Sequence, residues 1–277
     1  MNEKLVINLC PTGMVPTRGK VPHVPLSPKE IALDVKRCYE LGVSIVHIHA
    51  RDENGIPTWH PDVFDEILSE IKTVTPDIIL TVSTSGRNWS EIEKRSASLK
   101  LKDNRPDMAS LTLGSMNIQK IVLINPPEII HALAAEMLEN NIVPELEAFD
   151  TGMINYAVFL IKKGILKPPY YFNLLLGSLG TASLNSHNVS SMINALPEHA
   201  TWALAGIGRF QLQANTLAIA LGGHVRVGLE DNPYFDWDGK INASNPRLVE
   251  RIVKIAKELG REPATSEEAR KIIGFKQ

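Results

Sequence analysis

The chain has 277 residues, 44% hydrophobic and 22% charged, enough apolar material to bury a large core. Its 29 basic and 31 acidic side chains leave a formal charge of −2 with no basic run, which argues against a nucleic-acid partner. Two cysteines, Cys10 and Cys38, exclude a disulfide scaffold and suit a reducing compartment. No apolar run reaches the roughly 18 residues of a membrane span, and the first apolar run is too short for a secretory leader; a soluble, cytoplasmic protein is expected.

In chain order, short β-rich runs alternate with helical patterns. Strands are predicted over 4–10, 44–50, 78–84, 108–114, 143–150, 170–177, 201–207 and 224–231. Helices are predicted over 28–41, 61–75, 89–101, 126–140, 152–163, 187–196, 210–222 and 246–259. Ser27-Pro28-Lys29-Glu30 supplies a cap, a proline in the first turn and a carboxylate that completes a capping box. Asn125-Pro126 and Asn245-Pro246 read as further caps, and Gly42, Gly164, Gly222 and Gly260 as helix stops. A last short helix, Thr265 to Ile273, starts on Thr265 with Glu268.

Eight strand–helix units in this length predict an α/β fold, one (β/α)₈ barrel over residues 1–277 with a short C-terminal helical extension. The competing doubly wound sheet lacks a Gly-x-Gly-x-x-Gly turn after its first strand. In a barrel, function gathers at the C-terminal ends of the strands, so polar residues there become candidates.

His47 and His49 lie two apart at the end of the second strand, so they share a face and can converge on one metal ion. The eighth strand ends in Arg226, Glu230 and Asp231, and a buried glutamate on a strand needs a partner or a metal. A salt bridge closing the barrel is the structural alternative. With the histidines, a two-His, one-carboxylate site for a divalent ion is the better explanation, zinc first and Fe(II) also compatible. Thr81, Ser83, Thr84, Ser110 and Thr112 at other strand ends can hold a carboxylate or merely fill the barrel. Glu145 and Glu147 share one face of the fifth predicted strand, and Glu147 is an acid at interior depth. Gly206-Ile207-Gly208-Arg209 reads either as a phosphate turn or as a plain tight turn. His23, His60, His131, His187, His199 and His224 are read as structural or rim residues, and Cys10 as a small buried hydrophobe.

The chain resembles the β-keto acid cleavage enzyme family, zinc-dependent (β/α)₈ proteins, along essentially its whole length. The resemblance rests on Pro11-Thr12-Gly13, Val46-His47-Ile48-His49-Ala50-Arg51, Ser83-Thr84, Val143-Pro144-Glu145-Leu146-Glu147, Thr201-Trp202-Ala203 through Arg209, and Gly223-His224 through Asn232. It implies zinc on His47, His49 and Glu230, with Asp231 as proton-transferring base supported by Arg226. Ser83, with Thr84, Ser110 and Thr112, would hold the substrate carboxylate. Glu147 would be a further active-site acid, and Gly208 with Arg209 would meet coenzyme A. The implied reaction joins a β-keto acid to acetyl-CoA and releases acetoacetate and an acyl-CoA, in a dimer or tetramer. Arg226 is expected to hold the Asp231 pKa low, so that its removal harms the base and spares the metal. Members that cleave 3-keto-5-aminohexanoate place a glutamate where Val15 stands here, so an amino substrate is not expected. Ser110 and Thr112 replace their threonine and asparagine. Arg18 or Lys20, turned inward, would instead suit an anionic tail. The competing functions are a zinc barrel hydrolase using metal-activated water and a non-catalytic metal-binding barrel.

Overall fold

The computed structural model describes residues 3–118 and 121–275. The elements begin β1 (Ile7–Leu9), α1 (Pro28–Tyr39), β2 (Ile45–Ile48), α2 (Pro61–Val74), β3 (Ile79–Val82), α3 (Ile92–Arg95) and β4 (Met108–Thr112). After a two-stranded antiparallel hairpin, β5 (Met116–Ile118) with β6 (Ile121–Leu123), come α4 (Pro127–Glu139), β7 (Val143–Ala148), α5 (Thr151–Lys162) and β8 (Tyr171–Leu176). The chain ends with α6 (Ser186–Ala195), β9 (Thr201–Gly206), α7 (Gln211–Ala220), β10 (His224–Val227), α8 (Asn245–Glu258) and α9 (Ser266–Ile273).

Eight of the strands close into a parallel barrel in the order β1-β10-β9-β8-β7-β4-β3-β2, as the alternating pattern predicts. Barrel strands such as β2, β3, β4 and β8 are buried along their whole length, because helices cover one face and the barrel interior the other. Each helix buries one stripe: Ile31, Val35 and Cys38 on α1, and Phe64, Ile67, Leu68 and Ile71 on α2. Among the described residues no helix is long and apolar enough to cross a membrane.

The interior is layered. Val6, Ile45, Ile79, Met108, Tyr171 and Ala203 form an apolar floor, closed from below by Ala269 and Ile273 of α9. The C-terminal extension is therefore a plug, started by the predicted capping box of Thr265 and Glu268. Two residues further along five of these six strands the buried side chains are polar, Asn8, His47, Thr81, Ser110 and Asn173, with Glu145 of β7 level with Ser110; Ala205 on β9 is the apolar exception. The change from apolar to polar marks where packing gives way to the site.

His224 belongs to the floor region. Its Nδ1 accepts the Val6 amide at 3.1 Å, and burial, with Arg261 nearby, pushes its pKa down to about 3. The unfolded chain then binds the proton first, so stability is full above about pH 6.5 and is lost as pH falls toward 3, on the order of 1 kcal/mol per pH unit. His224→Asn keeps an acceptor for Val6 and cannot titrate. Urea melts between about pH 4 and 6 are expected to show a flatter acid limb for this variant, and an unchanged slope would contradict the assignment.

Some local expectations are corrected. The helix predicted over 89–101 is the single turn α3 followed by a 3₁₀ turn over Ala97–Lys100. Asn125 does not cap α4, which starts from Pro126; its amide instead donates to Gly114 O and accepts from Arg95. Asn245 lies within α8, bonding the Leu229 amide, Pro11 O and Asp34. Both asparagines serve tertiary contacts that a local signal does not distinguish from a cap. The β5–β6 hairpin was not expected. Gly42, Gly164, Gly222 and Gly260 do stop helices, all with positive φ.

Candidate functional site

The last barrel strand is shorter than predicted, ending at Val227, and this shapes the site. Gly228 sits at φ +153°, where a Cβ would strike the Cys10 backbone, and the next residues turn, with the Asp231 and Asn232 amides donating to Gly228 O. The turn lets the adjacent acids Glu230 and Asp231 both reach Arg226, which lies on the strand itself. Opposite them Gly13, at φ +65°, passes so close that a Cβ would lie 2.6 Å from Glu230 Cγ.

His47 and His49 converge as the spacing predicts. Their Nε2 atoms are 3.2 Å apart, and His49 Nε2 is 3.4 Å from Glu230 Oε1. Two nitrogens bound to one tetrahedral ion at ordinary distances lie about 3.3 Å apart, so the histidine spacing suits a shared ion. Glu230 Oε2 is buried with no hydrogen-bond partner, an orphan that an ion would satisfy. Burial pulls the His49 pKa down, which favours the neutral, ligating form. Burial also works against ionised Glu230, but His49, Arg226 and His47 outweigh it and hold its carboxyl well below the usual range. The residues fit a divalent cation.

The first ligand is aimed by Glu145, to which the sequence assigns no role, and through it by Asn8 and Asn173, which the sequence does not single out. His47 Nδ1 lies 2.6 Å from Glu145 Oε2, which assigns the ring proton to Nδ1 and leaves the Nε2 lone pair toward His49. Glu145 Oε1 accepts from both Asn8 and Asn173 at 2.6 Å. His47, Glu145 and Glu147 form a second group of possible ligands, but Glu145 is already satisfied by these three donors. Three strands, β1, β7 and β8, thus act on one ring.

Arg226, buried inside the barrel, grips three acids: Nε to Asp231 Oδ2 at 3.1 Å, Nη1 to Glu147 Oε1 at 3.0 Å and Nη2 to Glu230 Oε1 at 2.7 Å. Burial opposes its charge, yet the carboxylates around it hold its pKa well above the ordinary value. Glu147 also accepts the Thr112 hydroxyl at 2.7 Å. The expectation for Asp231 is reversed. For the protein's own charges, burial raises its pKa, Arg226 lowers it, Glu230 raises it again, and the balance is upward. A carboxyl raised in this way is a stronger base when ionised.

A cavity of about 520 Å³ joins these groups and is lined by His47, His49, Glu147, Arg226, Glu230 and Asp231. Ser83, Thr112, Val15 and Gly208 also line it, with Val15 largely exposed. Thr84 and Ser110 do not. The Thr84 hydroxyl donates to Ser110 O, and the Thr84 amide donates to Ser110 Oγ, so this pair ties β4 to the loop after β3. The Gly208 amide donates to Asp231 O at 2.7 Å, and Arg209 lies exposed over the Trp237 ring, so the loop after β9 is tied to Asp231 rather than left as a free phosphate turn. Lys20 lines the cavity, whereas Arg18 is paired with Glu30. Arg51 bonds the carbonyls of Gly13 and Pro16, fixing the segment that carries Val15.

Residues 4–275 match the profile of the family described as beta-keto acid cleavage enzyme. A 3-keto-5-aminohexanoate cleavage enzyme of Fusobacterium nucleatum is 39% identical over 279 residues, covering all of both chains. A 3-oxoadipate:acetyl-CoA acetyltransferase of Cupriavidus necator is 36% identical, covering 99% of this chain and 96% of its own. Among solved structures, apo ObcA superposes with a TM-score of 0.78 at 21% identity over 91% of this chain, a likeness of fold; this chain spans 66% of it. The chain belongs to the beta-keto acid cleavage enzyme family.

Proposed function

We propose that this chain converts a β-keto acid and acetyl-CoA into acetoacetate and the CoA thioester of the remaining acyl group. The observation that carries this reading is a carboxylate, Asp231, beside the His47–His49–Glu230 ligand set and outside it, held by Arg226 Nε through Oδ2 alone. A hydrolase of metal-activated water could use the same acid as its general base, so a requirement for acetyl-CoA is what separates the two readings. Zinc is the proposed ion, one per chain; when bound it supplies Lewis-acid stabilisation to the enolate oxygens.

The chain's own residues do the rest. Asp231 removes the α-proton of the β-keto acid. The carbanion carbon attacks the acetyl carbonyl, and CoA leaves as thiolate. The thiolate then attacks the original keto carbon, the bond from that carbon to the α-carbon breaks, and Asp231 returns the proton to the acetoacetate carbon. Arg226 keeps Asp231 and Glu230 apart in role, one atom bonded to each. Ser83 offers its hydroxyl to the substrate within the cavity, whereas the Thr112 proton is committed to Glu147. Glu147 anchors Arg226 from β7. The whole chain acts as one catalytic unit, in the cytoplasm, where Cys10 and Cys38 stay as buried free thiols, and as a homotetramer.

Incubating the zinc-loaded protein with a β-keto acid is expected to yield acetoacetate only when acetyl-CoA is present; turnover without the thioester would favour hydrolysis. Tail chemistry follows from Val15 and Lys20 on the cavity wall. A neutral or anionic tail suits them and an ammonium finds no partner, so 3-oxohexanoate and 3-oxoadipate are expected to exceed 3-keto-5-aminohexanoate in kcat/KM by about tenfold or more. Preference for the amino substrate would overturn this assignment.

A further inference from the structure

Four arginines in the described chain are buried, and their partners separate them. Arg226 has three carboxylates. Arg51 and Arg261 are bonded to several backbone carbonyls each, as staples between distant segments. Arg95, only 4% exposed, differs from all of them. Its Nε donates to Thr84 O at 2.9 Å and its Nη2 to Asn125 Oδ1 at 2.7 Å. Nη1 is buried with no partner, and among the described residues no carboxylate is paired with this side chain. Burial alone moves its pKa, down to about 10, so the group stays charged at neutral pH with nothing to balance it. A buried, unpaired charge is costly unless an opposite charge arrives.

The location shows where that charge would sit. Nη1 lies directly under Gly86, where a Cβ would come within 2.6 Å of it. Beside it is a recess of about 20 Å³, room for one water-sized group. The recess shares His49, Ser83 and Ser85 with the large cavity, so the two meet at these residues. Each serine there accepts an amide from two residues on: Ser83 Oγ from Ser85 at 3.2 Å, and Ser85 Oγ from Arg87 at 3.3 Å. Their hydroxyl oxygens are thus engaged as acceptors, leaving both O–H groups as donors. Donors in front and a buried cation behind make a seat for one negative charge.

We infer that Arg95 is a positioning residue and the hidden counter-charge for the carboxylate of the bound β-keto acid, which is held at the Ser83–Ser85 edge beside His49. This rests on the reaction proposed above. Through its bond to Thr84 O, Arg95 also fixes the loop that carries both serines. The cation's unbalanced field is relieved only when the anion is present, so the site discriminates for a free carboxylate over a neutral analogue.

The test pairs two ligands with two variants of the zinc-loaded protein, by calorimetric binding of acetoacetate and of the uncharged acetoacetamide. Wild type is expected to bind acetoacetate about tenfold or more tighter than acetoacetamide. Arg95→Gln is expected to lose about tenfold or more for acetoacetate and under about twofold for acetoacetamide, while Arg95→Lys stays near wild type for both. In steady state the Gln variant should show its loss in KM for the β-keto acid more than in kcat. Equal weakening of both ligands, in Gln and Lys alike, would make Arg95 a structural staple only. Unchanged acetoacetate binding in the Gln variant would remove the counter-charge role while leaving the proposed reaction standing. Failure of wild type to bind or turn over any β-keto acid would instead overturn the reaction itself, and this inference with it.

Discussion

Asp231→Asn is expected to retain its metal and to lose α-proton exchange of a β-keto acid in D₂O by on the order of a thousandfold. The asparagine keeps an oxygen for the Arg226 Nε bond, so the packing around the guanidinium changes little. What disappears is a carboxylate beside the ligand set that is not itself engaged as a ligand. Exchange is the informative readout because it precedes any step that needs acetyl-CoA. Exchange persisting at the wild-type rate would move the base to another residue, with Glu147 next in line through its shared contact to Arg226.

The second large effect concerns Arg226. From the sequence its loss should harm the base and spare the metal, but the structure ties it to Glu230 as well, with Nη2 at 2.7 Å from Oε1. Arg226→Met would leave three carboxylates of the interior without their cation. Breaking a buried ion pair from one side costs about 3–5 kcal/mol, equivalent to a fall in Tm of about 5–10 °C in a chain of this size. Metal affinity should fall too, by about 10–100-fold, because Glu230 loses the group that holds it. Arg226→Lys should recover part of the stability and little of the activity, since an ammonium cannot reach three acids in a fixed fork. Thermal melts and metal titration of both variants check this. Arg226→Met with wild-type stability and zinc affinity would contradict it.

The legible parts of the sequence were those with a local signature. The period-two spacing of His47 and His49, the capping boxes at Ser27 and Thr265, and the alternation of strands with helices all survive in the structure. Glu145 shows the limit. The sequence places it on the same face as Glu147, yet whether it is a ligand, a second base or a support depends on which strands face it across the barrel. Asn8 and Asn173 reach it from β1 and β8, distant in sequence, and only closure of the sheet brings them together. Asp231 shows a different limit: its pKa direction is set by a competition among burial, Arg226 and Glu230 that no linear spacing encodes. The hairpin of Met116–Ile118 and Ile121–Leu123 carries no sequence signature, because its two strands are three residues each, too short to show alternation. Arg95 had no signal at all, since an arginine in a helical pattern ordinarily faces solvent.

The central claim is that His47, His49 and Glu230 grip one divalent cation. Its most direct test is the metal content of the purified chain and of His49→Ala, after zinc loading and exhaustive dialysis, by elemental mass spectrometry. The account predicts about one equivalent of zinc in the wild-type chain and a small fraction of that in the variant. Equal metal content in the two proteins, or none in either, would contradict it.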